Sequence, residues 1–197
     1  MSYLELFSMP SPVTISARVS SITNSFVNGI IPCIPPTEDE VREALAVLGM
    51  DEEHFTCAYC GDACTEWDHL NPLVKDKKPT GYCSEIHNLV PSCGKCNQSK
   101  GNKMWREWML SSASRSPASR GITDLAARIA RLDEYCKRFI PLRIDFEAIV
   151  GEDLWSEHWK NYEEIVRMMR KSQTASDAIR SAIALALSSD GGNDAQR

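Results

Sequence analysis

Apolar positions along this chain change rhythm, and the changes divide it. From Thr37 to Gly49 the step is helical. Val41, Leu45 and Leu48 share a face, Thr37-Glu38-Asp39-Glu40 is a capping-box sequence, and Gly49 marks a stop. Short apolar runs then predict two strands, Trp67–Val74 and Ile86–Pro91, around a loop, Lys75–Tyr82, that holds Pro79 and Gly81. A helix is predicted over Cys93–Lys100, with Gly101 ending it. The C-terminal third is helical again. Leu125, Ile129, Leu132 and Cys136 recur at helical steps in Ile122–Phe139, with Thr123 as the N-cap. Trp155, Trp159, Tyr162, Val166 and Met169 do so in Gly151–Lys171, and a last amphipathic helix follows over Ala175–Leu187. Met1–Pro36 is rich in Ser, Thr and Pro and has no clear period.

These elements predict an α+β chain. A partly irregular N-terminal extension covers residues 1–36, a capping helix 37–51, a core 52–110, a helical region 111–190 and a disordered tail 191–197. No apolar run is long enough to cross a bilayer and Met1–Pro12 has no signal-peptide pattern, so a cytoplasmic protein is expected. The net charge of −5 argues against bulk attraction to polyanions. Its distribution says otherwise. From His69 to Arg120 nine Lys and Arg meet three acids, giving +6 and leaving −11 for the remainder. That asymmetry suggests a local anion-binding face on an acidic body.

Eight cysteines occur, and four of them form two Cys-x-x-Cys pairs, Cys57/Cys60 and Cys93/Cys96. Such a turn presents two thiolates to one ion, and two turns from distant segments close a tetrahedron with no open position. A structural Zn²⁺ is therefore expected on these four. It would add stability that a core of about fifty residues struggles to find in apolar burial alone. Cys33, Cys64, Cys83 and Cys136 lack the pairing and read as buried small hydrophobes, with Cys64 a second choice for the metal.

Between the pairs stand Asp68-His69 and Asn88, and Asn97 directly follows Cys96. A neutral imidazole can take a proton from water near neutral pH, and a hard cation held by carboxylate and amide oxygens can neutralise a phosphate. Asp68 and His69 are neighbours on an expected strand, so their side chains face opposite ways and can divide that work. The runs C-A-Y-C-G, W-D-H-L-N-P and H-N-L-V-P-S-C-G-K-C-N-Q-S-K-G resemble the HNH nuclease family over roughly Cys57–Lys103. The resemblance implies a ββα-metal core, treble-clef-like and stapled by zinc. It implies His69 as general base, Asp68 and Asn97 as ligands of a catalytic Mg²⁺ or Mn²⁺, and Asn88 holding the loop and orienting His69. The third signature position is Asn97 rather than histidine, and an oxygen-only set favours Mg²⁺ or Mn²⁺ over softer ions.

The function expected from the resemblance is metal-dependent hydrolysis of DNA, in phage defence or restriction, with 5′-phosphate and 3′-hydroxyl products. Lys78, Lys95, Lys100 and Lys103 would meet phosphates of a duplex. His87 should point away from Asn88, and His54 and His158 have no supporting pattern. The C-terminal helices could serve a homodimer or a regulatory protein partner. The competing expectation is a zinc-stapled nucleic-acid- or protein-binding module, which needs the cysteines and the basic stretch but not Asp68, His69 and Asn97 together.

Overall fold

The computed structural model describes residues 3–190. The tail expected at 191–197 lies outside the described residues. In chain order come 3-10 turns at Tyr3–Leu6 and Ser16–Arg18, then helices α1 (Val19–Asn28) and α2 (Glu38–Val47). Strands β1 (Glu66–His69), β2 (Val74–Lys75) and β3 (Lys78–Pro79) follow, then a 3-10 turn at Ile86–Asn88 and β4 (Leu89–Ser92). The rest is helical: α3 (Gly94–Lys100), α4 (Trp105–Met109), α5 (Leu125–Arg138), α6 (Phe146–Val150) and α7 (Glu152–Asp190). The chain divides into two compact units, Val27–Ile149 and Met1–Phe26 with Val150–Arg197.

The central unit begins with α2, where both halves of the capping box form. The Thr37 hydroxyl accepts from Glu40 N at 3.3 Å, and Thr37 N donates to the Glu40 carboxylate at 2.7 Å. At the other end Gly49 adopts φ +70°, which lets its N–H reach Ala46 O at 3.0 Å and closes the helix. Ala44 and Leu48 enter a core with Tyr59, Leu70, Val90, Trp108, Leu132 and Tyr135. β1 pairs antiparallel with β4 in the register Asp68↔Val90 and His69↔Leu89, and α3 packs against β1.

Three expectations change here. The first strand ends at His69 rather than Val74, because Asn71-Pro72 turns the chain. Ile86–Asn88 is a 3-10 turn rather than strand, with Glu85 accepting from His87 N at 2.8 Å as its cap. The helix N-cap in the C-terminal region is Asp124, not Thr123, and its carboxylate pairs with Arg128 at 2.8 Å. Between the main strands, β2 and β3 form a small hairpin. Its two turn residues, Asp76 and Lys77, both have positive φ (50° and 64°), the geometry of a two-residue primed turn.

Helix α1 forms within the partly irregular N-terminal extension, and its residues up to Phe26 belong to the other unit. The Thr23 hydroxyl lies 2.8 Å from Tyr162 OH, and the Phe26 ring lies against His158 and Tyr162. The two C-terminal helices are one, α7, of 39 residues. Nothing between Lys171 and Ala175 breaks it, as neither Gly nor Pro occurs there. Ile179, Ile183 and Leu187, near its end, are exposed. No helix among the described residues is long and apolar enough to cross a membrane.

Candidate active site

The four paired cysteines converge. Their sulfurs lie within 4.8 Å of one another, all four residues buried, and Cys60 Sγ stands 3.7 Å from Cys93 Sγ. A tetrahedron with metal–sulfur bonds of about 2.3 Å has sulfur–sulfur edges of roughly 3.8 Å, so the spacing suits zinc. The first turn is tight because Gly61 adopts φ +80°, and Gly61 N donates to Cys57 O at 2.9 Å. A Cβ at Gly61 would lie 2.5 Å from Arg128 Nη2, whose neighbour Nη1 donates to Cys57 O at 3.1 Å. Arg120 reaches the same cluster, with Nη1 3.7 Å from Cys96 Sγ and Nη2 2.8 Å from Asp62. Hydrogen bonds from Cys57 and Cys96 hold the Cys60 thiol below its ordinary range, with Arg120 adding to the effect. The arginines supply positive charge where four thiolates on a divalent ion would carry a net negative one. Of the unpaired cysteines Cys83 is buried as expected, Cys64 is half-buried, and Cys33 and Cys136 are exposed, which corrects the reading of those two as core residues.

Cys93 is the N-cap of α3, so the staple sets the start of that helix and its direction across β1. Asn97 sits one residue past Cys96, half-buried, with Asn97 N bonded to Cys93 O at 3.1 Å. Its side-chain amide makes no hydrogen bond among the described residues, which leaves its carbonyl oxygen free to act as a hard donor.

Asp68 and His69 do face opposite ways. The His69 ring is half-buried and its Nε2 stands 2.9 Å from Ser84 Oγ. Burial, and secondly the charge of Lys100, lower the His69 pKa to about 4. Asp68 is 4% exposed, and its Oδ2 accepts from Tyr59 OH at 2.6 Å. Burial pushes the Asp68 carboxyl up, opposed by the Lys100 charge and the Tyr59 hydrogen bond.

Lys100 departs from expectation. It is fully buried, with Nζ 3.2 Å from Asp68 Oδ2 and 2.7 Å from His69 O. It is an internal ion-pair partner rather than a surface cation waiting for phosphate, because α3 carries it inward over β1. Lys78, Lys95 and Lys103 are exposed, and Lys103 Nζ donates to Ser99 O at 2.9 Å near the end of α3.

Asn88 is fully buried and serves the loop. Its Oδ1 accepts from Asn71 N at 2.9 Å and Asn71 Nδ2 at 3.0 Å, and its Nδ2 donates to Asn71 O at 3.1 Å. It ties the chain just after His69 to the chain just before β4, and acts on His69 through backbone alone. His87 points elsewhere, stacked on Phe139 at 4.8 Å between centroids. His54 meets Asp51 at the surface, and His158 belongs to the other unit.

Sequence reasoning missed Tyr59, Ser84, Asn71 and the inward turn of Lys100. Tyr59 carried one signal, an aromatic residue inside a Cys-x-x-Cys turn whose other contents are small.

The fold and the sulfur cluster define a mixed helix and small-sheet chain with a four-cysteine site able to hold a metal such as zinc. No family model and no solved structure matches the chain. Among curated proteins it is similar to the CRISPR-associated endonuclease Cas9 of Corynebacterium diphtheriae, 36% identical over 63 residues. That similarity covers 30% of this chain and 5% of the length of that protein.

Proposed function

We propose that this chain is a metal-dependent endonuclease of the HNH kind, with β1, β4 and α3 as its ββα-metal frame. The observation that carries the reading is the placing of α3. The cysteine staple starts that helix and lays it over β1, so Asn97 follows a zinc ligand while Asp68 and His69 stand side by side on the strand. The similarity to a protein named an endonuclease supports the same chemistry.

In this reading the His69 Nε2–H donates to Ser84, which leaves the Nδ1 lone pair to accept a proton from attacking water. The depressed pKa keeps that nitrogen unprotonated at neutral pH, and an arriving phosphodiester anion raises its basicity. Asn88 locks Asn71 and so fixes the backbone on which His69 sits. The Asp68 carboxylate and the Asn97 carbonyl fit a hard divalent ion by chemistry. Such an ion, Mg²⁺ or Mn²⁺, would neutralise charge on the phosphate and the departing oxygen. The substrate is duplex DNA, held by exposed Lys75, Lys77 and Lys78 of the β2–β3 hairpin and by Lys95 and Lys103. Phage defence is the proposed setting, in keeping with the CRISPR-associated name of the relative. The exposed apolar residues at the end of α7 leave a place for a second copy or a protein partner.

The test is nicking of supercoiled plasmid with Mg²⁺ and Mn²⁺, comparing the parent with His69→Ala. Loss of a general base should slow cleavage by roughly 10²- to 10⁴-fold, with zinc content and circular dichroism unchanged. A parent that cuts under neither metal, or a variant that cuts as fast, favours the zinc-stapled binding module instead.

A further inference from the structure

Asp68 is the acid that the proposed catalytic ion would need, and it is already paired. Lys100 Nζ stands 3.2 Å and 3.4 Å from its two oxygens and gives further hydrogen bonds to His69 O at 2.7 Å and Gly101 O at 3.4 Å. The side chains are 0% and 5% exposed, so water does not screen the pair. Lysine is almost never fully buried without a partner, and here the ammonium is held by three acceptor groups that fix its place. Tyr59 OH holds the carboxylate from another direction at 2.6 Å.

The charge count follows. Asp68 and Lys100 sum to zero, and Tyr59 and the assigned second ligand Asn97 bring dipoles but no charge. Of the remaining charged neighbours, Glu66 lies close enough to act on Asp68, and Lys103 on Lys100, with opposite sign. Divalent-cation affinity rises with the number of anionic ligands, and this cluster offers no net anion. A phosphodiester brings one.

We propose that Lys100 is a positioning residue that keeps Asp68 neutralised in the free protein, so that a divalent cation and a nucleic-acid phosphate load the site together. This rests on the reading of Asp68 and Asn97 as ligands. Metal and nucleic acid are then linked reciprocally, each raising the affinity of the other by the same factor, and couplings of this kind are roughly 5- to 150-fold. In the cell, free Mg²⁺ would not fill the site until DNA is seated in it.

The experiment uses zinc-loaded full-length His69→Ala protein, which should bind without cutting. Mn²⁺ uptake is followed by the spin-resonance signal of free Mn²⁺, with and without a short duplex, against duplex alone. The expected result is weak uptake by the protein alone and uptake about tenfold or more tighter with duplex. Adding Lys100→Met should tighten uptake without duplex and remove most of the gain from duplex. Lys100→Gln, which keeps hydrogen-bond donors for His69 O and Gly101 O, should do the same, and one zinc per chain certifies that each variant is folded. Folded Lys100 variants whose uptake is unchanged or weaker overturn the proposal. Should neither variant hold zinc, the Lys100-intact protein decides alone: equal Mn²⁺ affinity with and without duplex overturns it. Asp68→Asn separates the two levels. If it leaves uptake with duplex unchanged, the metal is not on Asp68, and the proposed function fails at its metal site together with this inference.

Discussion

Asn88→Ala is the most informative single change outside the ion-pair cluster, because the structure states what it removes. Three hydrogen bonds of 2.9, 3.0 and 3.1 Å to Asn71 vanish, with a longer one of 3.4 Å to Cys83 O. Each typical bond is worth about 0.5–1.5 kcal/mol net, and orphaned buried groups add to the loss. Asn71 is half-buried, so water can recover part of it. Together these give about 3 kcal/mol. For a unit of this size that is a fall in Tm of roughly 10–15 °C. The assay is urea denaturation of the zinc-loaded protein followed by tryptophan fluorescence, with a thermal melt beside it. Asn71→Ala in the same background should cost little more, since the hydrogen bond of the Asn71 side chain is to Asn88 itself. A loss under about 1 kcal/mol, or full additivity of the two changes, would refute the claim that Asn88 works by tying down Asn71.

Cys93→Ser should abolish the fold of the central unit. Structural zinc is worth about 10–16 kcal/mol in small domains, as much as a whole domain's usual stability. One zinc per chain with a native circular dichroism spectrum would contradict this. Because His69 titrates near pH 4 when folded and near 6.5 when unfolded, the unfolded chain binds the extra proton between those values. Its contribution to stability is therefore complete above pH 6.5 and is lost as pH falls towards 4. The same shift puts the acid limb of kcat/KM for nicking well below 6.5, and a limb at 6.5 or above would show that His69 is not so buried in the working protein. Replacing Lys75, Lys77 and Lys78 by glutamine should lower the slope of log affinity for duplex against log salt by up to about 2.7, and an unchanged slope would place the DNA elsewhere.

What could be read in advance was what is local. The capping box at Thr37–Glu40, the stop at Gly49 and the two cysteine turns each depend on residues a few positions apart, and each appears as expected. The strands were harder. Apolar residues continue past His69, but Asn71-Pro72 and the side chain of Asn88 bend the chain away from a ladder that its composition would allow. Lys100 was misread because lysine belongs on surfaces by default, and the acid that draws it inside lies 32 residues earlier. The paired α7 segments failed for the opposite reason. Ser172 and Thr174 are weak helix formers but not breakers, and Gln173, a good one, is held by Asp177 at 2.8 Å within the same helix.

Cys96 and Asn97 are consecutive residues in one turn of α3, bonded through the backbone to Cys93. The sulfur that joins the cysteine cluster and the amide assigned to the chemistry are thus one peptide bond apart. In the proposed enzyme, a copy damaged by oxidation or starved of zinc would lose the hold on the start of α3 and with it much of the support of Asn97. For a protein proposed to cut DNA, that adjacency is a fuse: the broken enzyme fails silent, and a half-folded chain is harmless to the genome around it.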